Sequence, residues 1–342
     1  MADAAFLWEA DIDPAPLGGR RVGIFGYGNQ GRAQALNLRD AGIAVRVGLR
    51  AESGSIARAQ ADGLQAEPLP AVAEWADVLV LLVPDEQQPA LLGELSAILG
   101  GGEGRALGFA HGFSITFGRL ELPAASGVFL VAPCAPGARM REAFERGGGV
   151  FAYVAVHRDP PGSATEALAL AYARALGCGR AGILRTSFQA ETEVDLFGEQ
   201  AVLCGGMHAL LTAAFDTLVA AGYPPAMAYL ECQDQLVWLA ASVHAEGVAG
   251  TRRQISSTAL YGDLTRGPRI IGSESRAALA AILREIRSGE FAAEFLADVA
   301  AGKPRTDALL ALADRHPMEA AGAEIRRLAG RRVGQAPENE GP

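Results

Sequence analysis

Asp195 and Glu199 stand four residues apart in DLFGEQ, at the head of the run DLFGEQAVLCGGMHALLTAAFDTLVAAGY. Residues i and i+4 are neighbours on a helix surface, so two carboxylates there repel each other. On a solvated face the cost is small; on a face that packs into a core it is prohibitive unless a cation stands between them. The spacing alone leaves both readings open. A second apolar run, YLECQDQLVWLAASVHAEG, repeats the spacing with Glu231 and Gln235. The segment after it, RRQISSTALYGDLTRGPR, reads as a polar loop carrying Ser256.

A different chemistry is written near the N-terminus. The apolar run RVGIF leads straight into GYGNQG and then into the helical pattern RAQALNL. Gly26, Gly28 and Gly31 have the spacing of a phosphate loop, in which glycines allow a tight turn and close approach of backbone to pyrophosphate. Tyr27, Asn29 and Gln30 belong to the same loop, and the helix behind it offers N–H groups and a positive dipole end. The next strand ends in GLRAESGS, where an acid would take ribose hydroxyls and Arg with hydroxyls would suit a 2′-phosphate. Arg50, Ser53 and Ser55 favour NADP; Glu52 is the contrary signal. His111, in FAHGFSI, directly follows another strand, at the edge where open α/β sheets bind ligands.

These residues need two kinds of scaffold. Residues 20–185 alternate strand-like runs (21–25, 44–49, 78–84, 105–110, 127–132, 151–156) with helical patterns such as GRAQALNLRDAG and DEQQPALLGELSAILG. Near-continuous Val/Leu strands alternating with helices imply a parallel, doubly wound sheet covered on both faces. From about residue 188 strand signals stop, and helices are expected over 190–221, 225–247, 273–288 and 289–301. Their apolar circumference implies burial against more protein, such as a second subunit.

Composition narrows the partners. Of 342 residues 50% are hydrophobic and 20% charged, which provides a sizeable core and excludes wholesale disorder. A net charge of −9 argues against a nucleic-acid binder. Cys134, Cys178, Cys204 and Cys232 form neither a CxxC nor a zinc spacing, as expected in a reducing compartment. The start MADAAFLWEADIDP carries acids where a secretory leader needs Lys or Arg. No uncharged apolar stretch reaches the roughly 18 residues of a membrane span. A cytoplasmic protein that engages no membrane is expected.

Taken together, VGIFGYGNQGRAQALNLRDAG, VGLR, VPDEQQ, FAHGFSITFG, VAPCAPG, ERGGGV, ETEVDLFGEQAVLCGG, AGYPPAMAYLEC, ISSTALYGD and GPRII resemble ketol-acid reductoisomerase over roughly residues 7–329. That family comprises NADPH- and magnesium-dependent enzymes of branched-chain amino-acid biosynthesis; the match is to the short form with one helical C-terminal domain. The resemblance implies an NADP-binding Rossmann domain over 1–185, a knotted, dimer-forming helical domain over 186–330, and a disordered tail at 331–342. It implies that Asp195 and Glu199 hold magnesium, that Glu231 reaches the metals from a partner subunit, and that Ser256 touches a small keto or hydroxy acid. It also places His111 at the active-site mouth and adds Pro84, Asp85, Gln87 and Gly137 to the cofactor contacts.

Against the family pattern, Cys134 stands where a lysine belongs, Ala135 where a glycine usually follows, Gln235 where a second partner glutamate belongs, and Leu260 where ISSTALYGD would carry glutamate. One cation and one anion are lost together, which reads as a retuned catalytic site. Three readings follow: a full reductoisomerase, a divergent relative reducing a different keto acid or an imine, and a non-catalytic paralogue.

Overall fold

A computed structural model describes residues 6–100, 104–118 and 120–330; the expected disordered tail at 331–342 lies outside them. The chain divides into two compact units, the boundary falling between Val194 and Asp195.

In the first unit the strands are β1 (Phe6–Leu7), β2 (Arg21–Phe25), β3 (Ala44–Leu49), β4 (Gln65–Pro68), β5 (Val78–Leu81), β6 (Ala106–Phe109), β7 (Gly127–Pro133), β8 (Ala152–Arg158) and β9 (Ile183–Arg185). They form one sheet in the order β1-β9-β8-β7-β6-β5-β2-β3-β4. From β4 to β7 all pairings are parallel and follow the doubly wound order, with the reversal of direction between β2 and β5. The expectation of a wholly parallel sheet needs correction at one side: β8 runs antiparallel to β7, and β1 antiparallel to β9. An antiparallel extension on a parallel sheet is common, and β1, β4 and β9 are too short to give an alternation signal.

Both faces of the sheet are dry. Val22, Ile24, Val78, Val80, Phe129 and Val131 point into one core. Their alternating neighbours Phe25, Leu79, Leu81, Val128 and Leu130 point into the other. This two-residue period, apolar on both sides, explains why the strands read as continuous Val/Leu runs.

The second unit is helical. Helices Gly205–Ala220, Pro225–Tyr229 and Pro317–Leu328 bring Phe215, Ala228, Tyr229 and Met318 into a small core. Helix Ser273–Ser288 spans the expected residues, and Glu290–Ala300 nearly so. The run expected over 225–247 continues to Gln254 across a break at Gly247, which has φ 68°. The expected polar loop around Ser256 is instead the start of a helix, Ser257–Ile270. Ser256 is its N-cap and accepts from the Ala259 N–H at 3.2 Å, which converts a polar signal into a helix start. The helix from Phe188 to Ala220 is long and apolar enough to cross a membrane by length and composition. Much of the unit's apolar surface is uncovered within the single chain, including Leu203, Trp238 (54% exposed) and Tyr261 (66%).

Candidate active site

The phosphate loop leaves β2 and enters helix Asn29–Asp40, and its three glycines have three separable reasons. Gly26 has φ 105°, and a Cβ there would lie 2.7 Å from the Leu82 carbonyl oxygen at the exit of β5. A Cβ on Gly31 would lie 2.2 Å from the Gly26 oxygen. Gly28 has nothing within 4 Å of that position, so the loop is open where a pyrophosphate would approach. Backbone crowding dictates the outer two glycines, and a nucleotide is the natural occupant of the space at the middle one. Gly137 opens helix Gly137–Glu145, and its Cβ would lie 2.1 Å from the Asn29 oxygen, so this helix also abuts the loop closely.

Tyr27 turns inward. Its hydroxyl donates to Asp62 at 2.8 Å, and Arg32 holds the same carboxylate at 2.7 Å. Burial and the bond to Asp62 push the Tyr27 hydroxyl pKa up. The hydrogen bond from Arg32, with a further one from Tyr27, outweighs burial and lowers the Asp62 carboxyl to about 2. Tyr27 thus lines the nucleotide cleft while its ring locks the loop to the protein. That cleft, of ≈ 340 Å³, also gathers Arg50, Glu52, Ser53, Ser55 and Gln87. Arg50 and the two serines therefore share a wall with the contrary Glu52.

Pro84 and Asp85 follow β5, and the Asp85 side chain reaches His111. Its Oδ2 lies 3.0 Å from His111 Nδ1, and its Oδ1 accepts from Gln88 Nε2 at 3.0 Å. Gln88 is almost fully buried, and the Ser114 hydroxyl donates to the Asp85 carbonyl at 3.3 Å. The side chain of Asp85 is thus committed to a histidine.

Beside His111 lies a residue that the motif reading passed over. Glu191, on helix Phe188–Gly198, is 2% exposed, and its carboxylate accepts the Gly112 N–H at 2.8 Å. The approach requires glycine, because a Cβ on Gly112 would lie 2.3 Å from Thr192 Oγ1. The ligating atoms of His111 and Glu191 lie within 4.8 Å of one another. Glu199 and Glu231 are not part of this set. The spacing Glu191–Asp195–Glu199 is the signal that could have found it: three acids at i, i+4 and i+8, with only the last two singled out.

At Glu199 the helix widens. Glu199–Leu203 forms a π turn, with the Cys204 N–H donating to the Glu199 oxygen at 2.9 Å. Gly205 and Gly206 make the turn possible, since Cβ atoms there would lie 2.3 and 2.0 Å from the Gln200 and Ala201 oxygens. The second carboxylate run does the same: Leu230–Asp234 is also π-helical and contains Glu231. Such turns concentrate at functional sites. Gln235 Nε2 donates to Glu231 Oε2 at 2.9 Å. Cys134 follows β7, is exposed, and has its Sγ 4.0 Å from the Ala132 oxygen.

The Glu191 carboxylate offers oxygen donors of the kind a hard divalent cation takes, and the glycine cradle fits a dinucleotide.

The family model described as acetohydroxy acid isomeroreductase, NADPH-binding domain, matches residues 16–182. The model described as ketol-acid reductoisomerase, C-terminal domain, matches residues 188–330. Among solved structures, an NADH-preferring ketol-acid reductoisomerase from an uncultured archean is similar at 39% identity and TM-score 0.91, covering 95% of this chain and 99% of that one. A semialdehyde dehydrogenase NAD-binding protein from Cupriavidus necator shares 19% identity at TM-score 0.59, covering 79% of this chain and 99% of its own. A pyrroline-5-carboxylate reductase from Coxiella burnetii shares 17% at 0.55, with coverages of 79% and 98%. These last two likenesses speak to fold alone.

Proposed function

The chain is an oxidoreductase of the ketol-acid reductoisomerase family, and we propose that it reduces a small 2-keto acid with NADPH and Mg²⁺ while its alkyl-migration step is weakened. The observation that carries this reading is an uneven site. The nucleotide cleft and the neighbouring His111 and Glu191 support the reductive half of the chemistry, and the resemblance puts Cys134, in the loop after β7, where the family has a lysine.

In the full reaction, the substrate hydroxyl loses its proton as its carbon becomes a ketone. The alkyl group moves with its electron pair to the neighbouring carbonyl carbon, whose oxygen takes up a proton. When bound, the cation supplies Lewis-acid polarisation and the reduced nicotinamide supplies a hydride to the new ketone. Asp195, with Glu199, would hold the cation, and a second copy of the chain would bring Glu231, Gln235 and Ser256. His111, with its Nδ1 on Asp85, would hold or release a proton at Nε2. A lysine would steady the carboxylates during the migration; the Cys134 thiol brings no charge and is a weak donor. Reduction needs a positioned nicotinamide and a polarised carbonyl, and the groups for both remain.

The uncovered apolar helices support a dimer, since a monomer would leave Leu203, Trp238 and Tyr261 in water. Such a dimer is also what would complete the site with Glu231. Arg50, Ser53 and Ser55 support NADPH over NADH.

The deciding experiment measures NADPH oxidation by the purified protein with acetolactate, with its isomerised keto acid and with a keto-acid panel, each with and without Mg²⁺. The reading requires faster turnover of a keto acid than of acetolactate. Equal turnover means that Cys134 is a tolerated substitution in a full reductoisomerase.

A further inference from the structure

Three buried or half-buried side chains run in a row from the core to the loop that carries Cys134. The Tyr172 hydroxyl, on helix Thr165–Ala175, donates to Gln34 Oε1 at 2.7 Å. Gln34 Nε2 donates to Gln30 Oε1 at 3.2 Å, and Gln30 Nε2 donates to the Ala135 carbonyl at 2.9 Å. The direction of the row is fixed from its loop end. A backbone carbonyl can only accept, so it turns Gln30 with its amide nitrogen outward. Gln30 then offers an oxygen to Gln34, and Gln34 in turn offers its own to the tyrosine.

Two backbone approaches flank this row. Across β8, the Cys134 N–H donates to the Phe151 carbonyl at 2.8 Å. Towards the phosphate loop, Gly137 lies against the Asn29 oxygen at a distance that admits no Cβ. Between these two points the Gln30 amide supplies a polar tie. Tyr172 and Gln34 are fully buried, where leucine and phenylalanine would fill the space without any demand for partners. A buried polar row persists against that alternative only when each member is satisfied.

We propose that Gln30, Gln34 and Tyr172 are positioning residues, which hold the loop Cys134–Pro136 against the first turn of the phosphate-binding helix. The nucleotide site and the side chain at position 134 then share one origin in the core, and a shift of either is felt by the other. The inference rests on the proposed function only in assigning position 134 to the active site.

Amide hydrogen exchange of the full chain, without cofactor or substrate, tests it. Gln30→Met and Gln34→Leu keep the volume and remove the row. Both should speed exchange in residues 134–138 by about threefold or more, while helix Gly205–Ala220 exchanges as in the parent protein. Tyr172→Phe removes only the far end and should speed it less. Unchanged exchange at 134–138 in Gln30→Met, or an acceleration shared by 205–220, overturns the proposal. Should Gln34→Leu fail to fold, Gln30→Met at its half-exposed position decides alone. Because no turnover is measured, failure here leaves the assignment of the reaction untouched, and failure of that assignment leaves this result standing.

Discussion

His111 Nδ1 lies 3.0 Å from Asp85 Oδ2, and Gln88 holds the other oxygen of the same carboxylate. Both oxygens of one carboxylate are thus engaged, one by an imidazole nitrogen and one by a buried amide, and the first contact orients the His111 ring. Asp85→Asn breaks this arrangement with little change of shape. It should lower kcat by about 100-fold, within the usual range for a misdirected acid–base group. The Kd for NADPH, by fluorescence titration, should change far less. A loss confined to NADPH binding would return Asp85 to the cofactor role expected from the motif.

Asp195→Asn should weaken Mg²⁺ binding by about tenfold or more, measured by calorimetry on the NADPH-bound protein. Glu191→Gln should act in the same direction, because its amide oxygen can still accept the Gly112 N–H while the negative charge is lost. Metal-independent turnover that survives Asp195→Asn would show that the carboxylates have become structural.

Gln235 neutralises a repulsion as well as replacing a charge. Its amide donates to Glu231 one turn back, where glutamate would leave two carboxylates at i, i+4. Gln235→Glu should therefore lower the Tm in EDTA by about 1 °C, the scale of an exposed like-charge pair one turn apart, and Mg²⁺ should restore most of the loss. An equal Tm with and without metal counts against Glu231 as a ligand.

Cys134→Lys and Gln235→Glu should be non-additive. Each alone unbalances the pocket by one charge, and together they restore a cation and an anion. Acetolactate turnover by the double variant should exceed the product of the two single effects, up to whatever limit Leu260 imposes. Multiplicative effects would mean that the two positions do not share a site.

Arg50→Ala should cut the preference for NADPH over NADH by about tenfold, the worth of one charge-assisted contact. Tighter NADH binding in the parent protein would show that Glu52 governs the loop.

The phosphate loop was readable in the sequence because its cause is local: Gly26 and Gly31 are demanded by oxygens a few residues or one strand away. Glu191 was readable only as the first of three acids spaced by four, and its burial was not. ETEVD offers Glu191, Glu193 and Asp195 in near-identical local settings, and only the close approach of Gly112 selects Glu191 for burial. The helix Ser257–Ile270 was hidden by Gly262, Gly267 and Pro268, which are breakers by propensity but lie on a helix held by the Ser256 cap. The strands β1, β4 and β9 owe their existence to neighbours in the sheet, and two to four residues carry no period of their own. The role of Asp85 likewise depends on β5 and β6 being adjacent, which places it opposite His111.

The helices that carry Glu199 and Glu231 respond to changes of chain length in a particular way. Each π turn, Glu199–Leu203 and Leu230–Asp234, contains in effect one residue more than an α-helix of the same rise. Deleting a single residue from either would restore ordinary pitch and keep the flanking turns in nearly the same rotational register, because five residues of π turn and four of α-helix each make roughly one turn. Such a deletion would act locally, removing the widened turn that presents Glu199 or Glu231 and leaving the rest of the helix where it was. Natural loss of a residue in these two five-residue segments should therefore be tolerated by the fold and felt only by the carboxylates they present.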